Sequence, residues 1–275
     1  MSDYKSLKTE SYLEKSRNID KMSSFEIAKI INEEDKTVAY AVEKALDKIA
    51  EGIDCIAASL KNNGRIFYAG AGTSGRLGVL DASECPPTYG VTSDRVVGLI
   101  AGGKEAAYSS MELAEDDDNS IVSQLKEYNF NKDDICIGIS ASGSAACVKG
   151  AFKYAKEIGA STIAVTNNSN SPLIGLADII IAAEVGPEVI TGSTRMKAGT
   201  AQKMIINMLS TGAMIKYGRT RGNYMAYMVP SNIKLVDRAI RMISDKTGCD
   251  YETAKAALEK HNKNIAAAID DIEKD

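Results

Sequence analysis

The chain has 275 residues, 44% of them hydrophobic, which is enough for one large α/β domain and a smaller appendage. Its 33 basic and 37 acidic residues disfavour nucleic acid as a partner, because nucleic-acid binders normally carry a clustered basic excess. No apolar run is long enough to span a bilayer, and Met1–Lys15 is polar, unlike a signal peptide. We therefore expect a cytoplasmic protein that does not bind membranes.

The few cysteines and histidines limit the kinds of site that the chain can hold. The five cysteines are widely spaced and form no Cys-x-x-Cys pair, which predicts reduced thiols. His261 is the sole histidine, so a zinc site would lack its usual ligands and we expect no metal. With one histidine, carboxylates become the first candidates for a general acid and base.

Helical and strand patterns alternate along the chain. From Ser24 to about Asn62 apolar residues recur at three- and four-residue spacing, which predicts helix after a loose arm at 1–23. Beyond Gly64, five short runs are mostly apolar on both faces, as in a buried parallel sheet. The predicted strands are Arg65–Ala69, Val96–Ile100, Ile135–Ile139, Thr162–Thr166 and Asp178–Ala182. The predicted helices among and after them are Leu77–Ala82, Ser120–Glu127, Ala145–Ile158 and Met196–Tyr217.

The predicted fold is a doubly wound α/β sheet of about five parallel strands flanked by helices. After Pro230, three short helical stretches predict a small C-terminal helical module. They are Ile233–Ile243, Tyr251–Lys260 and Asn264–Ile272. The predicted domains are an N-terminal arm at 1–23, a main domain at 24–230 with its N-terminal helical segment, and the module at 231–275.

Three hydroxyl-rich loops are candidates for a phosphate-binding site. Gly70–Arg76 and Ser140–Ser144 each follow a predicted strand and precede a helix, and Thr191–Lys197 opens another helix. Glycines let the backbone approach a ligand, hydroxyls donate hydrogen bonds, and a helix N-terminus favours an anion. Two such loops in one sheet suggest a shared phosphosugar site. The candidate binding residues are Gly72, Thr73, Ser74, Ser140, Ser142, Gly143, Ser144, Ser193 and Lys197.

Charged side chains near these loops add further candidates. Arg195 and Lys197 would either neutralise a phosphate or lie on the solvated surface, and the sequence leaves both interpretations open. Glu84 precedes a double proline, which would hold it rigidly where the chain leaves the predicted helix. Glu115 belongs to a run of carboxylates, a pattern that usually marks a solvated face. Two carboxyl groups with separate pKa values would suit proton abstraction beside a carbonyl, followed by protonation of a leaving oxygen.

Long blocks of the sequence carry a family resemblance. These blocks are Gly64–Gly90, Gly98–Gly103, Gly186–Thr211 and Gly222–Asp237. They closely resemble the bacterial N-acetylmuramic acid 6-phosphate etherases, and the resemblance extends over nearly the whole chain. It implies an SIS fold, a homodimer with sites near the subunit interface, and no metal or organic cofactor. The implied reaction cleaves the D-lactyl ether of N-acetylmuramic acid 6-phosphate by elimination and water addition, in amino-sugar and cell-wall recycling.

The resemblance also implies roles for individual residues. Glu84 matches the acid that assists the departure of lactate and later activates water, and Glu115 matches the base that removes the proton at C2. The hydroxyl positions expected around the sugar phosphate match Thr73, Ser74, Ser140, Ser142 and Ser144. The implied ligand is a phosphorylated amino sugar.

Two segments depart from the family pattern. Family members usually carry Ser-Gly-Arg-Thr-Pro where this chain has Ser142–Ala146, and Arg-Asn where Thr9–Ser11 is followed by Tyr12–Glu14. Both differences concern the substrate more than the fold. A non-catalytic sugar-phosphate sensor and a lyase for a related sugar phosphate therefore stay open. An aldose–ketose isomerase is disfavoured, because such enzymes often open the sugar ring with a histidine and His261 lies in the tail.

Overall fold

A computed structural model describes residue 9 and residues 11–274, the side chain of Glu112 excepted. The strands are β1 (Ile66–Gly70), β2 (Val96–Ile100), β3 (Ile135–Ile139), β4 (Ser161–Thr166) and β5 (Ile179–Ala182). They form one parallel sheet in the order β2-β1-β3-β4-β5, which confirms the predicted doubly wound α/β fold. The predicted strand ends are correct to within one residue, because nearly every strand position is buried and the apolar runs therefore mark the strands.

Helices cover both faces of the sheet and form the tail. They are α1 (Ser24–Asp35), α2 (Val38–Glu43), α3 (Leu46–Lys61), α4 (Gly72–Tyr89), α5 (Ser120–Glu127), α6 (Ala146–Glu157), α7 (Lys197–Lys216), α8 (Ile233–Thr247), α9 (Tyr251–Lys260) and α10 (Ile265–Ile272). The long helical stretch predicted near the N-terminus is thus divided into three helices. The first begins with a capping box between Ser23 and Glu26, which satisfies backbone N–H groups at its start.

Helix α4 is longer than the sequence pattern predicts. The predicted end at Ala82 is wrong, since the helix continues through Pro86 and Pro87 to Tyr89. Each proline lacks an N–H group and so removes one i→i−4 hydrogen bond, and the helix continues for only two residues after Pro87. Gly90 then ends the helix in the left-handed conformation, with φ 61° and its N–H 2.9 Å from the carbonyl of Pro86.

Two apolar cores lie on opposite faces of the sheet. Alternate strand residues point to opposite sides, so Tyr68 packs in one core and Phe67 in the other. The first core is covered by α3, α4 and α7, and the second by α5 and α6. The sheet and these two layers of helices hold the strand ends, and the loops after them, in fixed positions.

The three C-terminal helices form a separate small core. It also includes Ala226 and Met228, which precede the predicted boundary at 230. The carbonyl of Ala226 accepts a hydrogen bond from the N–H of Ala266 at 3.0 Å, and the N–H of Val229 reaches the carbonyl of Pro87 at 3.4 Å. The module therefore attaches beside the C-terminal end of α4. The predicted division at 230/231 stays a prediction.

The described part of the N-terminal arm is docked on the main domain. Ser16 donates its hydroxyl to the carbonyl of Val189 at 2.8 Å, and Lys15 lies 2.6 Å from the carboxylate of Glu34. The prediction of a loose arm is therefore wrong for this part, while residues 1–8 and Glu10 lie outside the described residues. Within the described chain, every helix is too short or too polar to cross a bilayer.

Candidate active site

A pocket opens at the carboxyl ends of β1 and β3. These neighbouring strands flank the point where the strand order reverses, which is where doubly wound sheets bind ligands. The cleft has a volume of about 430 Å³. Its lining comprises Ala71, Gly72, Thr73, Ser74, Glu115, Ile139, Ser140, Ala141, Ser142, Ser144, Ala145, Gly192 and Thr194. The structure thus brings parts of all three predicted hydroxyl-rich loops to one place.

The first loop presents the start of α4 to the pocket. No side chain caps this helix, so its first backbone N–H groups are open to a ligand. Gly72 has a positive φ of 52° and open space where a Cβ atom would lie. Ser74 donates its hydroxyl to the side-chain oxygen of Gln202 at 2.9 Å, so its orientation is set from α7.

The second loop forms a group of hydroxyls at the start of α6. Ser140 accepts a hydrogen bond from the N–H of Gly143, and Ser142 accepts one from the N–H of Ser144, both at 3.1 Å. The hydroxyl hydrogen of Ser140 is therefore free to donate to a ligand. The 2.6 Å contact between the Ser142 and Ser144 oxygens uses only one of their two hydroxyl hydrogens. No side chain caps α6, so this end of the pocket is rich in donors and suits a phosphate.

Gly143 gives this loop its shape without lining the pocket. Its φ is 77°, and a Cβ atom there would lie 1.9 Å from the Ser171 hydroxyl oxygen. The residue is a predicted site residue, and the structure places it behind the serine hydroxyls. Only glycine meets both requirements, the positive φ and the close approach.

Glu115 is the only titratable side chain in this pocket among the described residues. It ends a short 3₁₀ helix, Glu112–Glu115, which follows the loop after β2. Although the side chain stays open to solvent, partial desolvation and then the charge of Asp116 raise the pKa of Glu115 above its ordinary value. The acidic run therefore contains one carboxylate that faces the hydroxyl loops.

A smaller cleft of about 130 Å³ adjoins the main pocket. The two share Ala71, Gly72 and Glu115 in their linings. The smaller cleft is also lined by Arg76 and Met111.

Glu84, the second predicted catalytic carboxylate, does not reach this pocket. It lies twelve residues beyond Gly72 on the same helix, which corresponds to about 18 Å along the axis. Its side chain is exposed. The sequence predicts Glu84 where the chain leaves the helix, and the longer α4 carries it away from the site of its own chain.

Two predicted ligands in the third loop also lie outside the lining. Lys197 is buried, and its ammonium group pairs with Glu34 and donates to the carbonyl of Val185 at 2.8 Å. Ser193 does not line the pocket, although Gly192 and Thr194 on either side of it do.

Glu188 caps helix α7, a role that the sequence did not predict. Its carboxylate accepts the N–H groups of Lys197 at 3.0 Å and Ala198 at 2.9 Å. Desolvation raises the pKa of Glu188, and these hydrogen bonds partly oppose that shift. The residue stands too far before the helix for a capping motif, so no local signal reveals it.

The chain matches proteins of known family. A family model for the glucokinase regulatory protein N-terminal SIS domain covers residues 48–156, and one for the SIS domain covers 107–212. An N-acetylmuramic acid 6-phosphate etherase of Clostridium beijerinckii is 52% identical over 96% of this chain and 87% of its own. The chain belongs to the N-acetylmuramic acid 6-phosphate etherase family. Another such etherase, from Aliivibrio fischeri, is 49% identical over 97% of this chain and 89% of its own.

Solved structures with lower identity share the fold of this etherase-family chain. A phosphoheptose isomerase from Francisella tularensis aligns with a TM-score of 0.54 at 17% identity, over 70% of this chain and 100% of its own. A phosphoheptose isomerase from Neisseria gonorrhoeae aligns with a TM-score of 0.51 at 19% identity, over 68% of this chain and 96% of its own. These alignments agree with the five-stranded parallel SIS sheet.

Proposed function

We propose that this protein cleaves the D-lactyl ether of N-acetylmuramic acid 6-phosphate, giving N-acetylglucosamine 6-phosphate and D-lactate. The observation that carries this proposal is that Glu115 shares one pocket with the serine loop and two uncapped helix N-termini. Those donors suit the phosphate, and the carboxylate then faces the sugar. The relatives named above are etherases for the same substrate, which supports this assignment. The reaction would serve amino-sugar and cell-wall recycling in the cytoplasm.

Glu115 is the proposed base of the elimination. In the open-chain aldehyde, the C2–H bond breaks and its proton passes to the carboxylate. The electron pair forms the C2–C3 double bond, the C3–O bond breaks, and lactate leaves with a proton from an acid. Water then adds at C3 while C2 regains a proton. A raised pKa makes the Glu115 carboxylate a stronger base.

Glu84 is the proposed acid, which requires a second copy of the chain. The distance of about 18 Å along α4 is too long for Glu84 to serve the pocket of its own chain. We therefore propose a homodimer in which Glu84 of a second copy completes the site. An exposed apolar patch on α3 and α7, which includes Leu46, Met208 and Ile215, supports self-association.

The remaining ligands follow from their places in the pocket. We propose that the α6 end binds the phosphate and that the α4 end binds the sugar. The proposed ligands are Gly72, Thr73, Ser74, Ser140, Ser142 and Ser144. Gly143 shapes the loop that holds three of them.

The decisive experiment measures lactate release from N-acetylmuramic acid 6-phosphate by the wild type, Glu115→Gln and the matched control Asp118→Asn from the same acidic run. We expect the wild type to form lactate and N-acetylglucosamine 6-phosphate in equal amounts, and Glu115→Gln to lose about 10²- to 10⁴-fold in rate. The control should stay near the wild type. A wild type that releases no lactate, yet is stabilised against heat by the compound, would make the protein a sensor instead.

A further inference from the structure

Arg76 is a half-buried cation with no counter-charge among the residues that the structure describes. Its Nε donates to the carbonyl of Ala107 at 3.1 Å and one terminal nitrogen donates to the carbonyl of Ser109 at 2.9 Å. Within the described residues it forms no ion pair, and its other terminal nitrogen, Nη1, makes no hydrogen bond. The fork of guanidinium N–H donors matches the geometry of a carboxylate or phosphate, so the free Nη1 side of Arg76 suits an anionic ligand.

The smaller cleft places this cation next to the proposed base. Arg76 and Glu115 both line it, together with Ser110 and Met111. Glu115 also borders the main pocket. A ligand held in the main pocket can therefore extend a substituent past Glu115 into the smaller cleft.

The substrate of the proposed function, on which this inference rests, carries a second anion besides its phosphate. The lactyl group on C3 ends in a carboxylate, and C3 adjoins the C2 atom from which Glu115 takes the proton. We propose that the smaller cleft is the lactyl subsite, in which Arg76 binds the carboxylate. A volume of about 130 Å³ fits a three-carbon substituent, and Met111 offers an apolar contact for its methyl group.

Charge favours this arrangement over an uncharged subsite. The lactyl carboxylate would otherwise approach the ionised Glu115, and two like charges in a partly desolvated cleft repel each other. The guanidinium offsets that repulsion and makes a charge-assisted hydrogen bond. Because two backbone carbonyls already hold its other edge, Arg76 loses little side-chain freedom when the ligand binds.

Binding measurements test the subsite apart from catalysis. In a Glu115→Gln background, which slows turnover enough for binding to be measured, dissociation constants are determined for three ligands: N-acetylmuramic acid 6-phosphate, its lactyl methyl ester and N-acetylglucosamine 6-phosphate. We expect the acid to bind about 10- to 100-fold more tightly than the ester, as one charge-assisted hydrogen bond predicts. Arg76→Met should abolish that preference and leave the affinity for N-acetylglucosamine 6-phosphate unchanged, whereas Arg76→Lys should keep part of the preference.

The controls separate the possible failures. Arg95→Met replaces another half-buried arginine, which donates to the carbonyl of Gly64 at 2.9 Å, and should change none of the three affinities. If the Glu115→Gln parent protein binds the acid and the ester equally tightly, the proposed lactyl subsite is wrong, whatever the Arg76 variants show. If Arg76→Met still binds the acid more tightly than the ester, Arg76 only supports the loop and does not bind the lactyl carboxylate. If the parent binds none of the ligands, the proposed function fails as well.

Discussion

The hydroxyl of Ser74 donates to the side-chain oxygen of Gln202, and the direction of this hydrogen bond is fixed by its neighbours. The side-chain nitrogen of Asn167 donates to the carbonyl of Ala183 at 3.0 Å, which can only accept. Asn167 must then accept from the nitrogen of Gln202, at 3.1 Å, and Gln202 must accept from Ser74. Ser74 therefore shows the pocket an oxygen that accepts, which suits a sugar hydroxyl or N–H group.

Removing Gln202 should change ligand affinity through Ser74. Gln202→Met frees the Ser74 hydroxyl to rotate and leaves a buried amide oxygen of Asn167 without a partner. We expect binding of N-acetylglucosamine 6-phosphate to weaken by about 10-fold, and unfolding to become easier by about 1–3 kcal/mol. Calorimetry and thermal denaturation measure the two effects. Gln124→Met removes a half-buried glutamine outside the pocket, which donates to the carbonyl of Ile100, and should leave the affinity unchanged.

The ionisation of Glu115 should affect activity and stability in opposite ways: activity falls in acid, whereas the stabilisation by Glu115 falls as the pH rises. Because the base must be ionised, the rate should fall on the acid side with a midpoint above the ordinary value of 4.5. A carboxyl group whose pKa is higher in the folded than in the unfolded state stabilises the fold at pH values below its unfolded-state pKa. This stabilisation is lost as the pH rises through its folded-state pKa. Glu115→Gln should therefore melt at a higher temperature than the wild type at pH 7, and this gap should shrink below pH 4.5. A gap that grows in acid would contradict the raised pKa.

A mixture of two inactive variants should recover activity if each site uses two chains. Glu84→Gln and Glu115→Gln are unfolded together and refolded at equal concentrations. Half of the dimers would then be mixed, with one intact site in two, so about a quarter of the wild-type rate should return. Refolding either variant alone is the control. Recovery of no activity would place both carboxylates of a working site on one chain.

Gly143 and Gly159 offer a matched pair of substitutions to alanine. Their φ values are 77° and 78°, but a Cβ atom meets Ser171 only at Gly143, while the space around Gly159 is open. Gly159→Ala should cost about 1 kcal/mol of folding free energy from the backbone alone. Gly143→Ala should cost more and also weaken phosphate binding, because the serine loop must shift. Equal losses of stability, with inorganic phosphate bound as in the wild type, would contradict this view of the loop.

Lys197 and Lys216 are two lysines of α7 with very different surroundings. Lys197 pairs with Glu34 in the interior, whereas Lys216 pairs with Asp54 on the surface. Lys197→Met leaves Glu34 with Lys15 as a remaining partner, and the lost buried hydrogen bond should destabilise the fold by about 1–3 kcal/mol. Lys216→Met should cost less than about 1 kcal/mol. Urea denaturation compares the two, and similar values would show that the inner pair contributes no more than an exposed one.

The sequence predicts the sheet well because local patterns determine it. The five runs are mostly apolar on both faces, so burial and sequence agree, and two of the three hydroxyl-rich loops follow directly from strand ends. The extent of α4 escapes prediction because a proline usually marks the end of a helix, whereas α4 continues for two residues beyond Pro87.

The parts that the sequence could not predict depend on contacts between distant residues. Glu115 belongs to an acidic run that resembles a solvated face, and only the fold shows that it borders the pocket. The burial of Lys197 depends on Glu34, which is 163 residues away. Pairing at such separation leaves no mark in local composition, and the same holds for the link between Ser74 and Gln202.

The length of α4 has a consequence for how the proposed enzyme responds to its own abundance. One continuous helix starts at the pocket and carries Glu84 beyond the reach of that pocket. Under the proposed assembly, a single chain is inert, and working sites appear only when two chains meet. At concentrations well below the dimer dissociation constant, the turnover of a solution would then rise with the square of the amount of protein. A doubling of synthesis would then raise the turnover about fourfold without any small-molecule regulator.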